Sequence, residues 1–191
     1  MKLELEKQIQ DAVLALQQGL LIAYPTEAVY GLGCDPQQEQ AIENLVKLKK
    51  RNPDKGLILI ASKFEQLQPY LAELDESLVA HAKETWPGPV TWVWPIKSNL
   101  SVSPLLTGKH KSIAVRVTNH PIASALCEAF QGAIVSTSAN LEGESPAKDA
   151  REVIQYFSEL DHLAKIVEGD LGDLLQPTPI YDVMTQTEIR S

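Results

Sequence analysis

Cysteine is scarce in this sequence: Cys34 and Cys127 are the two among 191 residues, and they form no CxxC pair. That excludes a disulfide framework or a zinc ribbon and reads as a reducing compartment, most simply the cytoplasm. Long hydrophobic runs are missing too, since no apolar stretch reaches bilayer-spanning length. The opening residues, Met1-Lys-Leu-Glu-Leu-Glu-Lys7, are charged throughout and do not read as a signal peptide. His81, His110, His120 and His162 show neither HExxH nor any paired ligand spacing, so no built-in metal site is expected. The sequence has no GxxxxGK[ST] phosphate loop, no GxGxxG fingerprint and no GxSxG nucleophile elbow. Positive charge is in deficit overall: a net charge of −8 speaks against a nonspecific nucleic-acid binder.

What is present is an apolar fraction of 44%, enough for a real core, with no break in composition. One domain spanning residues 1–191 is expected. The charge is uneven. Residues 40 to 120 hold 11 of the 17 Lys and Arg against 7 acids, which leaves the remainder at −12. A basic middle in an acidic chain fits an anionic ligand, and it equally fits lysines on solvated helix faces.

Helical spacing of Leu5, Ile9, Ala12, Val13 and Leu16 predicts a helix over 4–18, stopped by Gly19. A buried strand at 20–24 runs into Tyr24-Pro-Thr-Glu-Ala-Val-Tyr-Gly-Leu-Gly-Cys-Asp35, the stretch that organises the chain. Pro25 should end the strand, and Gly31 and Gly33 permit a tight turn or a close approach to ligand. Asp35 is expected to cap the next helix, over 37–50, with Pro36 at its first position. Asn52–Gly56 reads as a turn, and strands are expected at 57–61, 90–94, 112–118, 133–136, 163–167 and 180–183. Helices are expected at 63–71, 76–86, 121–130 and 149–158, and a polar loop at 97–111 with anchors at Leu105 and Leu106. Gly169, Gly172 and Pro177 punctuate a second loop. Either loop could serve as a lid. Trp86, Trp92 and Trp94 read as packing groups. Strands alternating with helices give the α/β class, a sheet covered by helices.

Three clusters carry candidate chemistry. Lys49, Lys50, Arg51 and Lys55 surround a helix end and a turn, where they either compensate the helix dipole or aim at polyphosphate. Arg116 lies inside the apolar strand Ile113-Ala-Val-Arg-Val117; alternation puts it on one face with Ala114 and Thr118. An unpaired buried guanidinium would be costly, so it needs an acidic side chain, solvent, or an anionic ligand. Ser136-Thr-Ser-Ala-Asn140 follows a buried strand, where hydroxyls and backbone N–H groups either cap a turn or form an anion-binding nest.

Taken together, the chain resembles the YrdC family in its short bacterial form, the threonylcarbamoyl-AMP synthase type. The residues that carry this are Tyr24 to Asp35, Lys49-Lys-Arg51 as a K-x-R, Lys55-Gly-Leu-Ile-Leu-Ile60, Trp86-Pro-Gly-Pro-Val-Thr91, Ala114-Val-Arg-Val-Thr-Asn-His-Pro121, and Ser136 to Asn140 containing an S-x-N. The resemblance spans nearly the whole chain, in order. With the sequence ending at Ser191, the extra C-terminal domain of longer relatives is expected to be absent.

The resemblance implies a single-domain twisted mixed β-sheet flanked by helices, with a concave basic groove. It implies condensation of L-threonine, bicarbonate or CO2, and ATP to threonylcarbamoyl-AMP plus diphosphate. The product would pass to a downstream t6A transferase complex for t6A37 modification of tRNAs reading codons that begin with A. No tightly bound cofactor is implied, only Mg²⁺ carried on ATP; tRNA contact would be weak, and there would be no membrane partner. Carried over by position, Thr26 and Arg116 would hold threonine, with Arg116 on its carboxylate, joined by Thr137 and Thr178. Lys49, Arg51 and Lys55 would face the phosphates, and Ser136, Ser138 and Asn140 would line the nucleotide and carbamate pocket. Ser112 and Arg190 would add nucleotide contacts. Lys49, Arg51, Ser138 and Asn140 form the implied catalytic set. Glu142-Gly-Glu-Ser-Pro146 departs from the serine-bearing turn of longer relatives. The competing reading is a tRNA or double-stranded RNA binder that uses the same groove without turnover.

Overall fold

The computed structural model describes residues 2–157, 163–174, 176 and 178–190. The expected positions His162 and Pro177, and the last residue of the helix expected over 149–158, lie outside them. The chain opens with α1 (Lys2–Gln17). Gly19 ends it in the left-handed region at φ 73°, with Leu20 N–H donating to Ala15 and Gly19 N–H to Leu16. Next come β1 (Leu21–Pro25), β2 (Tyr30–Cys34), α2 (Glu39–Leu48), β3 (Ile58–Ala61), α3 (Glu76–Glu84) and β4 (Thr91–Pro95). The chain continues through α4 (Pro104–Thr107), β5 (Ser112–Val117), α5 (Pro121–Phe130), β6 (Ile134–Ser138) and α6 (Ala150–Phe157), then β7 (Leu163–Ile166), β8 (Ile180–Asp182) and β9 (Glu188–Arg190).

Among the described residues all nine strands join one mixed sheet in the order β7-β1-β2-β6-β3-β5-β4-β8-β9. The hairpin β1–β2 pairs Tyr24 with Gly31, β2 pairs Gly31 with Ser138 of β6, and β3 sits between β6 and β5, pairing Ile60 with Ile134 and with Arg116. Strand alternation sorts the core into two faces. Leu21, Ala23, Leu32, Leu59, Val115, Val117 and Val135 point one way, into a core with Ile42 and Leu45 of α2. Ile22, Tyr24, Ile60 and Ile134 point the other way and pack beneath α1 and α5. Those two helices cover part of that face. Its remainder, with Gly31, Ile58, Ala114, Arg116, Ser136 and Ser138, forms cavity walls. The tryptophans pack as expected: Trp92 and Trp94 are buried, their indole N–H groups donating to Thr85 Oγ1 and to the Ala72 carbonyl.

Four local expectations are corrected. Asp35 does not cap α2: its Oδ1 accepts from Gln37 N–H in an Asx turn, and the helix begins at Glu39 behind Gln38. The stretch 63–71 is a single 3-10 turn, Phe64–Gln66, rather than a helix, and Pro69 could not donate to continue one. The loop at 97–111 contains α4, capped by Ser103 Oγ, with Leu106 buried as the expected anchor. Two strands were not expected at all: the short edge strand β9, and β2, where Gly31 and Gly33 lie within a paired strand rather than in a tight turn.

Candidate active site

The K-x-R segment is shaped by the end of α2. Lys50 takes a left-handed conformation at φ 51°, with Arg51 N–H donating back to Val46. That reversal, unfavourable by about 1 kcal/mol or more for a residue with a Cβ, turns Lys49 and Arg51 in different directions. Lys49 goes inward and is 2% exposed. Its Nζ donates to the Ser138 carbonyl, to the Asn140 carbonyl at 2.7 Å and to Asn140 Oδ1 at 3.0 Å. Burial, reinforced by nearby Arg51, pushes its pKa down to about 7. Arg51 goes to the groove. Its Nε and Nη2 donate to the Gly56 carbonyl at 3.2 and 2.8 Å, and the residue lines both cavities.

Gly56 fixes this corner. It is left-handed at φ 61°, and a Cβ there would stand 2.8 Å from the Leu106 carbonyl oxygen. Leu57 N–H donates to that same carbonyl, and Lys109 N–H to the Asp54 carbonyl, so the 53–56 turn and the α4 segment interlock.

The narrower of two adjoining cavities, of about 170 Å³, gathers Thr26, Gly31, Arg51, Arg116, Ser136, Thr137, Ser138, Thr178 and Arg190. Gly31 keeps its floor open: a Cβ there would lie 3.2 Å from Thr26 Cγ2 and 3.4 Å from Ser136 Oγ. Arg116 is 5% exposed and paired with Glu27, itself 4% exposed, through Nη2 to Oε2 at 3.1 Å. Its Nη1 donates to Thr178 Oγ1 at 2.8 Å, while its buried Nε has no partner among the described residues. The charge-burial problem is thus answered within the protein by an acidic side chain. Such a pair contributes little net stability, yet losing one partner costs about 3–5 kcal/mol because the other is stranded. Thr26 Oγ1 donates to the Val29 carbonyl at 2.7 Å, so its lone pairs remain the accepting sites.

The wider cavity, of about 430 Å³, shares Arg51, Ile58 and Arg190 with the first. Its walls are largely apolar, with Leu57, Val93, Ala114, Leu106, Ile180 and Ile189, and carry Lys55, His110, Ser112 and Asp182 as polar groups. The two together make a groove across the uncovered sheet face, with Arg51 and Arg190 at the junction.

Of the residues expected from sequence, Thr26, Arg51, Arg116, Ser136, Thr137, Ser138, Thr178 and Arg190 converge on the narrow cavity, and Lys55 and Ser112 line the wide one. Lys49 and Asn140 line neither. They stand behind the wall, where Ser138 Oγ donates to Asn140 Oδ1 at 2.6 Å and Asn140 Nδ2 to the Glu144 carbonyl at 2.7 Å. Lys55 is tied to Glu142, whose carboxylate also accepts from Asn52 N–H at 3.0 Å. These contacts hold the Glu142 carboxyl below the usual range. The departing 142–146 turn therefore clips onto the rim of the groove. Sequence reading missed Glu27, His110 and Asp182 as site groups. For Glu27 a signal existed: Arg116 required an acid, and Glu27 is the one acid between Tyr24 and Cys34.

The Sua5/YciO/YrdC family, described as telomere recombination, matches residues 14–190. A Photobacterium profundum protein named threonylcarbamoyl-AMP synthase is 50% identical over 184 residues, covering 95% of this chain and 97% of its own. The crystal structure of P. abyssi Sua5 complexed with L-threonine superposes with a TM-score of 0.83 at 33% identity. That match covers 91% of this chain, which spans half the length of that Sua5. E. coli YciO matches with a TM-score of 0.83 at 28% identity, over 97% of this chain and 89% of its own.

Proposed function

The chain belongs to the Sua5/YciO/YrdC family, and from that premise we propose how its groove carries out the reaction of its half-identical relatives. Its activity is threonylcarbamoyl-AMP synthesis from L-threonine, bicarbonate or CO2, and ATP, serving t6A37 modification of tRNA. The observation that carries the assignment of roles is that Arg51 and Arg190 border both cavities. Cations stand where an amino-acid-sized chamber meets an apolar chamber of nucleoside size.

In this reading threonine enters the narrow cavity with its carboxylate toward Arg116 and Thr178 and its side chain toward Thr26, Thr137 and Val29. Its amine captures CO2 as a carbamate, a C–N bond forming as one proton leaves. A carbamate oxygen then attacks the α-phosphorus of ATP, and diphosphate departs with the electron pair of the broken P–O bond. The Ser136 and Ser138 hydroxyls face the carbamate. Arg51, Arg190 and Lys55 meet the phosphates, and Ser112 and the apolar wall meet the nucleoside. Mg²⁺ arrives on ATP as part of that substrate. Lys49 and Asn140 belong to the catalytic set through the turn they brace. No protein nucleophile takes part; the rate comes from positioning and from cations preorganised where charge builds.

Residues 1–191 act in this reading as one YrdC-like unit, handing product to a separate transferase, with tRNA contact weak. Among the described residues no helix is long and apolar enough to cross a membrane. Diphosphate release from ATP by the purified protein, with threonine and bicarbonate each present or omitted, tests the proposal. Release should need both. No release under any metal or pH condition, with salt-sensitive tRNA binding instead, would replace it with the RNA-binding reading.

A further inference from the structure

We propose that Glu27 is a positioning residue for threonine: it sets the orientation of Arg116 from behind the cavity wall without touching substrate. The inference rests on the synthase reading above. Glu27 does not line the narrow cavity; it borders a separate hollow with Asn119, His120 and Asp173. Both of its carboxylate oxygens are committed. Oε2 accepts from Arg116 Nη2 at 3.1 Å, and Oε1 accepts from the Thr118 hydroxyl at 2.6 Å. The Thr118 oxygen in turn accepts from His120 N–H at 3.1 Å, which directs its single proton to Glu27. The backbone is equally fixed. The Glu27 carbonyl accepts from Leu174 N–H, and a Cβ on Gly172 would stand 2.8 Å from that carbonyl oxygen.

Arg116 shows the effect of this anchoring. Its fork has five donors, and a guanidinium free to turn would satisfy as many as it could. Here Nη2 is held by Glu27 and Nη1 by Thr178, with Thr91 Oγ1 a further 3.5 Å from Nη1, while the buried Nε has no partner among the described residues. A buried donor left unmet by its surroundings calls for a reason, and functional sites are where such compromises persist. The reason offered by the geometry is that the anchors keep the guanidinium presented to the cavity at the expense of Nε. Glu27 also balances the arginine's charge. A substrate carboxylate is then held by the direction of the remaining N–H groups rather than by bare charge, which suits a planar bidentate acid. Glu27 is therefore expected to act on threonine and not on ATP, whose chamber it does not border.

The test measures steady-state diphosphate release and calorimetric threonine binding in the wild type, Glu27→Gln, Thr118→Val and Thr118→Ser. Wild-type release that requires threonine comes first; its absence removes the synthase reading and this inference together. With the wild type active, Glu27→Gln should raise the threonine KM and Kd on the order of tenfold, the scale of one charge-assisted hydrogen bond. The ATP KM should stay within about twofold. Thr118→Val should show a smaller shift of the same selectivity, reversed in Thr118→Ser. Unchanged threonine binding in a folded variant overturns the inference while leaving the synthase reading intact. So do threonine and ATP parameters rising together, since a purely structural ion pair would do that. Should Glu27→Gln fail to fold, the two Thr118 variants decide.

Discussion

Arg116 and Lys49 are both cations buried at the edge of one groove, and they are satisfied in opposite ways. Arg116 has a carboxylate partner, and with one Nη2 contact to Glu27 it keeps the second Nη2 N–H uncommitted among the described residues. Lys49 has no carboxylate among its hydrogen-bond partners in the described residues, and its ammonium is spent on three neutral oxygens of the Ser138–Asn140 turn. The first arrangement neutralises charge and saves hydrogen-bonding directions for a ligand. The second uses every direction to brace a turn. Both were grouped as substrate-binding cations on sequence grounds, yet one borders the cavity and the other stands behind its wall. Charge type alone does not say whether a buried cation is presented or consumed.

Lys49→Met should produce the largest change. Removing the ammonium strips three hydrogen bonds from the turn and leaves the Asn140 carbonyl without its lysine donor, so stability should fall by about 2–4 kcal/mol in urea titrations. Turnover should drop on the order of 100-fold or more as Ser138 loses its place. Full stability combined with loss of ATP binding alone would mean that Lys49 reaches phosphate directly, and the contrast with Arg116 would collapse. Arg51→Ala comes next. Among the described residues its side-chain hydrogen bonds go to the Gly56 carbonyl alone, so turnover should fall about 100-fold with stability changed by less than about 0.5 kcal/mol. A large loss of stability would place Arg51 with Lys49 as a brace.

Arg116→Ala should weaken threonine binding about 10- to 100-fold, the range of a charged hydrogen bond, with ATP affinity little altered. It should also lose about 3–5 kcal/mol of stability, because Glu27 is stranded. Calorimetry showing unchanged threonine affinity would take Arg116 out of the site. The smallest effect concerns His120, whose Nδ1 accepts from Ala123 N–H at the start of α5. Burial holds it below the ordinary imidazole range; neighbouring Glu27 raises it and Arg116 lowers it. A lowered folded value means the unfolded chain binds more protons below pH ~6.5, so this contribution is present above that pH and is lost as pH falls through the folded value. His120→Asn keeps a capping side chain, and the stability obtained from urea titrations should then change less between pH 5 and 7, by under about 1 kcal/mol. An unaltered pH profile would exclude His120 as a source.

Much of this could be read in the sequence because it depends on short-range pattern. Alternation placed Arg116 on the correct face of its strand, and the chain's demand for a counter-charge followed from burial cost alone. The partner could not be identified that way, since Glu27 lies 89 residues away and meets Arg116 only through the sheet order. The inward course of Lys49 was not legible, for a local reason. A helix-end run of Lys-Lys-Arg looks solvated, and nothing in its composition announces that the middle lysine adopts a left-handed turn and sends the first one inward. Thr178 and Arg190 were reachable only by resemblance. Their strand neighbourhood, three residues in β8 and three in β9, is too short to leave a periodic signal.

The strand order also bears on how the chain is made. The β1–β2 hairpin can close as soon as it leaves the ribosome, but the strand that joins it to the rest of the sheet is β6. Gly31 waits for Ser138, more than a hundred residues later. At about 5–20 residues per second that interval is several seconds to tens of seconds, during which the edge of β2 has no partner. The nascent chain thus carries an open strand edge through most of its synthesis, which makes this stage the one most exposed to chaperone capture or to mispairing with another chain.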